Sequence, residues 1–120
     1  MIYNGVLRGQ VDAREANGYA TTLVVLESAL KKLGAMSPMP KGGLVYRGIG
    51  GRSMPVQFKE ADEHGARGGT ELAVLSTTTD RDTALKYSKS DGSPWSILME
   101  MEVGGIGRPA CISYVSQYQG

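Results

Sequence analysis

Trp95-Ser96-Ile97-Leu98-Met99-Glu100-Met101-Glu102-Val103 is the stretch that decides the fold class. Trp95, Ile97, Met99, Met101 and Val103 alternate with Ser96, Leu98, Glu100 and Glu102, and residues two apart share one face of a strand. The spacing predicts a half-buried strand over Trp95–Val103, apolar on one face and carrying both carboxylates on the other. Upstream the period changes. Tyr19, Leu23, Leu26, Leu30 and Leu33 recur in steps of four and three, which predicts a helix over Ala13–Leu33 with one apolar face. Asp12 followed by Glu15 fits a capping box at its start. Lys31 and Lys32 suit the negative end of the helix dipole, and Gly34 supplies a stop. Such a face needs a cover, and a sheet is the natural one.

Between these two elements the chain is punctuated by glycine and proline. Pro38, Pro40, Gly42 and Gly43 mark a connecting loop. Leu44-Val45-Tyr46-Arg47 reads as a short strand broken by Gly48, Gly50 and Gly51. Pro55–Glu63 reads as a brief helix with proline in its first turn. Glu71–Thr78 reads as a second strand ending in hydroxyl residues, after which Asp80 caps a helix over Arg81–Ser88. Asp91-Gly92-Ser93-Pro94 is a turn. Beyond the main strand, Gly104, Gly105 and Gly107 turn the chain into an extended Ala110–Val115. One long helix followed by short strands and small helices is an α+β order.

The 120 residues suit one domain. Lys plus Arg number 13 against 12 Asp plus Glu, a net charge of +1 that argues against a nucleic-acid or anionic-membrane partner. Hydrophobic residues at 41% and charged residues at 21% describe an ordinary globular chain. Glycine is the outlier, 17 residues against a usual share of roughly 7%. No apolar run reaches the length of a membrane span, and the opening residues lack the charged start and apolar core of a signal peptide, so a cytoplasmic location is the default expectation. Cys111 is the single cysteine and His64 the single histidine. That excludes an internal disulfide and makes a metal site unexpected; His64, in a polar glycine-flanked loop, reads as solvated.

Gly48-Ile49-Gly50-Gly51-Arg52-Ser53 fails as a dinucleotide fingerprint, because Ser53 takes the third glycine position and no long helix follows. No phosphate loop of the Walker type occurs either. Tyr46-Arg47-Gly48 and Ser76-Thr77-Thr78 are the informative pair, each placing polar groups at the end of a short strand. A guanidinium there offers a planar fork of donors for a phosphate, and the hydroxyls can orient a carboxylate or a ribose. The plain alternatives are a surface arginine on a strand and a Ser/Thr cap for the following helix.

Taken in order, Leu44-Val45-Tyr46-Arg47-Gly48, Glu71 to Asp80 with its Ser76-Thr77-Thr78 core, and Ser113-Tyr114-Val115-Ser116-Gln117-Tyr118 resemble the mono-ADP-ribosyltransferase domain of the Arg-Ser-Glu class. That class includes binary-toxin catalytic subunits and arginine-specific ecto-enzymes. The Ala84-Leu85-Lys86-Tyr87 run is similar to the family too, and Arg47 stands where the poly-ADP-ribose polymerase branch has a histidine. The resemblance implies an α+β split β-sandwich, with residues 1–43 as its helical part and 44–120 as the NAD-binding sheet region. It implies NAD as substrate, no metal, and a protein acceptor, with arginine the default. Arg47 and Ser76 become the catalytic residues; Arg47, Gly48, Ser76, Thr77 and Thr78 become the NAD-binding set. Arg47 would hold a phosphate with close backbone approach at Gly48, Ser76 would position the catalytic glutamate, and Thr77 and Thr78 would shape the nicotinamide-ribose pocket.

The family's Glu-x-Glu follows its Ser-Gln-Tyr segment, here Ser116-Gln117-Tyr118-Gln119-Gly120, so the resemblance places it after Gly120. The chain is therefore expected to be weakly active or inactive, and to dimerise through an uncovered sheet edge or melt easily. A catalytically dead module that binds NAD or a protein is the alternative. Glu100-Met101-Glu102 has the same pattern but the wrong place in the order, and reads as a solvated strand face.

Overall fold

The computed structural model describes residues 2–89, 92–105 and 107–116. It is an α+β protein whose described residues form two compact units: residues 2–39, 72–75 and 103–116, and residues 40–71 and 76–102. Among the described residues no helix is long and apolar enough to cross a membrane.

The first unit is helical. Helix α1 spans Ile2–Leu7, α2 spans Ala13–Gly18 and α3 spans Ala20–Met36. Asp12 caps α2 as its sequence position requires, accepting from the amides of Arg14 and Glu15 at 2.9 Å each. The helix expected over Ala13–Leu33 is broken at Tyr19, whose amide turns back to the carbonyl of Ala16. Asn17 and Gly18, both poor helix formers, precede the break. Tyr19 sets its ring edge-on to Tyr3, with centroids 5.7 Å apart. The predicted stripe holds: Leu23, Leu26, Leu30 and Leu33 are half-buried, while Val24 and Val25 are exposed.

Gly34 is not the stop. The helix runs two residues past it and ends at Ser37, which is extended (φ −71°, ψ 140°) because Pro38 disfavours helical backbone before it. Gly34 is buried instead, where an added Cβ would stand 3.0 Å from the carbonyl oxygen of Arg108. Arg108 donates to the Ser37 carbonyl at 2.9 Å, and the Cys111 amide donates to Ser37 Oγ at 2.9 Å. The extended segment expected over Ala110–Val115 curls into a turn, with the amides of Val115 and Ser116 both donating to the Ile112 carbonyl.

The second unit is built on two antiparallel strands, β1 (Leu44–Gly50) and β2 (Ser96–Glu102). β1 does not stop at its first glycine, because β2 pairs with it residue by residue as far as Gly50 opposite Ser96. The register puts Val45, Arg47 and Ile49 on one face with Met101, Met99 and Ile97. Leu44, Tyr46 and Gly48 share the other face with Glu102, Glu100 and Leu98. On the far side of β1, Tyr46 forms a single bridge with Thr78, exchanging bonds of 2.8 and 2.9 Å.

That bridge is all that forms of the strand expected over Glu71–Thr78. The reason is visible at Val74, whose amide and carbonyl are both taken by the side-chain amide of Asn4 at 3.2 Å. An asparagine on α1 thus stands where a neighbouring strand would. The helix expected over Pro55–Glu63 shrinks to one tight turn, Val56–Phe58. Asp62 ends it by folding the chain on itself, its Oδ1 accepting from the amides of His64 and Ala66 at 2.9 Å each.

Helix α4 (Arg81–Ser88) matches its expected bounds. It lies on the Gly48 face of the sheet, and its small residues permit this. Ala84 and Ser88, one turn apart, are each 1% exposed. A Cβ built on Gly48 would overlap the Ala84 carbonyl oxygen and stand 2.6 Å from the Ser88 nitrogen. Helix and strand therefore touch backbone to backbone at one point. Gly48→Ala is expected to cost about 1–3 kcal/mol or more, since the obstructing atoms are backbone and cannot rotate away. Gly18→Ala, in open space at the end of α2, is expected to add roughly 0.5–1 kcal/mol. Chemical denaturation measures both, and an unshifted midpoint for Gly48→Ala contradicts the packing.

Asp80 caps α4, accepting from Thr83 Oγ1 at 2.7 Å and from the Asp82 amide at 3.0 Å. These bonds, the Thr83 hydroxyl first, hold its carboxyl below the usual aspartate pKa. A depressed value in the folded state gives stability that is complete above the ordinary aspartate pKa and lost as pH falls through the folded one. The start of α4 is therefore expected to fray at acid pH, below the range where ordinary aspartates titrate. The side-chain carboxyl resonance of Asp80, followed through an acid titration, tests this, with Asp80→Asn as the variant that assigns it. A transition at the ordinary aspartate midpoint contradicts it.

Candidate functional site

Arg47 is half-buried in the middle of β1, on the sheet face away from α4. Its Nη1 donates to the main-chain carbonyl of Ser76 at 2.9 Å, across 29 positions of sequence. The neighbouring Tyr46–Thr78 bridge fixes the two backbones beside one another. The Tyr-Arg-Gly and Ser-Thr-Thr motifs therefore meet in space. A guanidinium has five N–H donors in one plane, so spending one on a fixed carbonyl orients the plane and leaves a fork for an anionic ligand.

The three hydroxyls of the second motif have different fates. Ser76 and Thr77 are exposed beside Arg47. Thr78 is half-buried, and its Oγ1 accepts from the Asp80 amide at 3.1 Å. The plain reading, a hydroxyl serving the start of the next helix, thus describes Thr78, while Ser76 and Thr77 stay available to a ligand. Gly48 has a different purpose from the one the resemblance gives it. The space a side chain would take is filled by the backbone of α4, so glycine here permits helix–strand contact and leaves no gap for a phosphate on that face.

Glu100 and Glu102 are exposed and stand opposite Tyr46 and Leu44. They point to the α4 face, whereas Arg47 pairs with Met99 on the other. The sheet itself separates this acid pair from the arginine. Of the third motif, Ser116 follows the turn at Ile112, and Gln117 and Tyr118 lie outside the described residues.

An open cleft of about 440 Å³ lies in the loop between the first two motifs, lined by Val56, Gln57, Glu60, Asp62, Arg67 and Thr70 among others. Neither Arg47 nor Ser76, Thr77 or Thr78 lines it. His64 is exposed on the same loop, as its composition suggests. In the helical unit Cys111 is exposed, and the hydroxyl of Ser113, 3.3 Å from Sγ, pulls its thiol pKa below the usual value. Among the described residues no group of three His, Cys, Asp or Glu side chains gathers in a way that could hold a metal ion.

Two features of the site escape a motif reading. The Gly48–Ala84–Ser88 contact shows in sequence only as small residues four apart on a short helix, and the Thr78–Asp80 turn only as a Thr-x-Asp spacing. No protein-family model, no curated protein and no solved structure matches the chain, so what bears on its function is the motifs and the geometry that joins them.

Proposed function

We propose that this chain carries the dinucleotide-binding part of a mono-ADP-ribosyltransferase site, with NAD as substrate and a protein side chain, arginine by the resemblance, as acceptor. The single observation behind the reading is the Arg47–Ser76 contact. It joins two short motifs that are each common alone and that the resemblance reads together.

The chemistry follows from the groups present. Arg47 holds a phosphate of NAD with the N–H donors not spent on Ser76. Ser76 and Thr77 flank the nicotinamide-ribose end. The bond between nicotinamide and ribose breaks with its electron pair leaving on nicotinamide, through a transition state resembling an oxocarbenium ion. A nitrogen of the acceptor then bonds to the ribose carbon and releases its proton to solvent. The nearest general parallel is glycoside hydrolysis. A carboxylate oriented by the Ser76 hydroxyl stabilises the developing charge, and one such preorganised group is worth on the order of 3 to 4 kcal/mol. Glu100 and Glu102 do not fill that role, since they occupy the other face of the sheet.

That last observation favours a second reading for these residues: a module of the same architecture that binds NAD, or a protein, without chemistry. Calorimetric titration with NAD tests the shared premise. Losing a charge-assisted phosphate contact costs about 1.5–3 kcal/mol, so Arg47→Ala is expected to weaken binding at least tenfold. Arg47→Lys keeps the charge without the fork and should fall between. Any nicotinamide release should be unchanged in Glu102→Gln. Equal NAD affinity in wild type and Arg47→Ala, or release abolished in Glu102→Gln, overturns the assignment.

A further inference from the structure

We infer that Thr78 is a positioning residue for Arg47, its hydroxyl acting through the turn into α4 and not on a ligand. The inference rests on the NAD-site reading for its functional consequence but on geometry alone for its structural one. Thr78 Oγ1 accepts from the Asp80 amide at 3.1 Å, an oxygen of residue i bonding the amide two residues on. The same residue's amide and carbonyl are both bonded to Tyr46. Thr78 is thus tied on one side to β1, immediately before Arg47, and on the other to the first residue of the α4 cap. Asp80 in turn is held by Asp82 and Thr83. α4 then returns to β1 at Gly48, immediately after Arg47.

The residues on both sides of Arg47 are therefore fixed by one closed circuit: Tyr46 to Thr78, Thr78 to Asp80, α4, and Gly48. The Ser76 carbonyl that receives the Arg47 guanidinium lies two residues before the Thr78 tie. Its position relative to β1 depends on that tie, because Thr78 is where this segment bridges the strand. Removing the hydroxyl loosens the turn between the Tyr46 bridge and α4, so the segment can twist about that bridge, and the Arg47–Ser76 bond loosens with it.

Thr78→Val removes the oxygen and keeps the branched shape; Thr78→Ser restores the oxygen. Thr83→Val weakens the α4 cap but leaves the Thr78–Asp80 bond, so it separates positioning from general loss of the helix. Two readouts apply: NAD affinity, and the ¹⁵N-resolved guanidinium resonances of Arg47, which report its hydrogen bond without any ligand. A distinct Nη signal is expected in wild type, Thr78→Ser and Thr83→Val, collapsing to the free-arginine position in Thr78→Val. NAD binding is expected to weaken about fivefold in Thr78→Val and recover in Thr78→Ser. If Thr78→Val does not fold, Thr78→Ala, which lacks the oxygen without adding bulk, takes its place. An Arg47 signal untouched in Thr78→Val, or lost equally in Thr83→Val, overturns the inference. If wild type binds no NAD while the Arg47 signal follows the expected pattern, the positioning role stands and the NAD-site reading falls.

Discussion

Where α4 crosses β1, no side chain lies between the two backbones. Gly48 meets the Ala84 carbonyl and the Ser88 nitrogen, and any larger residue at that point would hold the helix off the sheet. With two paired strands and few fully buried side chains among its described residues, this unit has little else there to fix α4. A two-stranded ribbon is marginal alone, so it needs a helix packed against one face. The contact also has a consequence one residue away. Because strand side chains alternate, a strand that gives Gly48 to the helix must turn Arg47 to the opposite face.

Arg47 therefore owes its direction to its neighbour. Once turned away from α4, its guanidinium finds the Ser76 carbonyl, brought within reach by the Tyr46–Thr78 bridge. The contact is to main chain, so it does not depend on the serine side chain and leaves that hydroxyl free of the arginine. An arginine anchored by one N–H loses much less freedom on meeting an anion than one waving in solvent, since part of the ordering cost is already met in the folded protein. Arg47 is thus oriented by backbone geometry, and the side chains of Ser76 and Thr77 stay exposed beside it.

Local signals were the legible part of the sequence. Asp12 and Asp80 cap where their positions say, α4 has its expected bounds, and the Leu23–Leu33 stripe is half-buried as its spacing requires. The errors arise where a distant or competing bond wins. Asn4 takes the backbone bonds of Val74 across 70 positions, so a segment with good β-propensity has no ladder to join. Asp62 folds the end of the Pro55–Glu63 segment back by binding the amides of His64 and Ala66 just beyond it. Gly34 has the sequence position of a stop, but Pro38 ends the helix and Gly34 serves a close approach at Arg108. A glycine announces that something special happens to the backbone; it does not say whether that is a turn or a contact. At the candidate site the same ambiguity applied to Gly48, and the residues that resolve it, Ala84 and Ser88, lie in a different element.

Sheet sidedness also decides how the acidic pattern is to be weighed. Glu100-Met101-Glu102 has the composition of a catalytic pair, and by composition alone it competes for that role. Position along a strand is not enough to judge it, because each strand residue must also belong to one face. Glu100 stands opposite Tyr46, and Met99 opposite Arg47, so a single step of register separates carboxylate from guanidinium by the full thickness of the sheet. To bring them together, β2 would have to slip by one residue. That slip would carry Ile97, Met99 and Met101 to the other face and leave Gly48 without Leu98 beside it. The apolar alternation that makes Trp95–Val103 a strand is thus the same feature that keeps its acids away from Arg47, and any carboxylate serving that arginine has to come from another part of the protein.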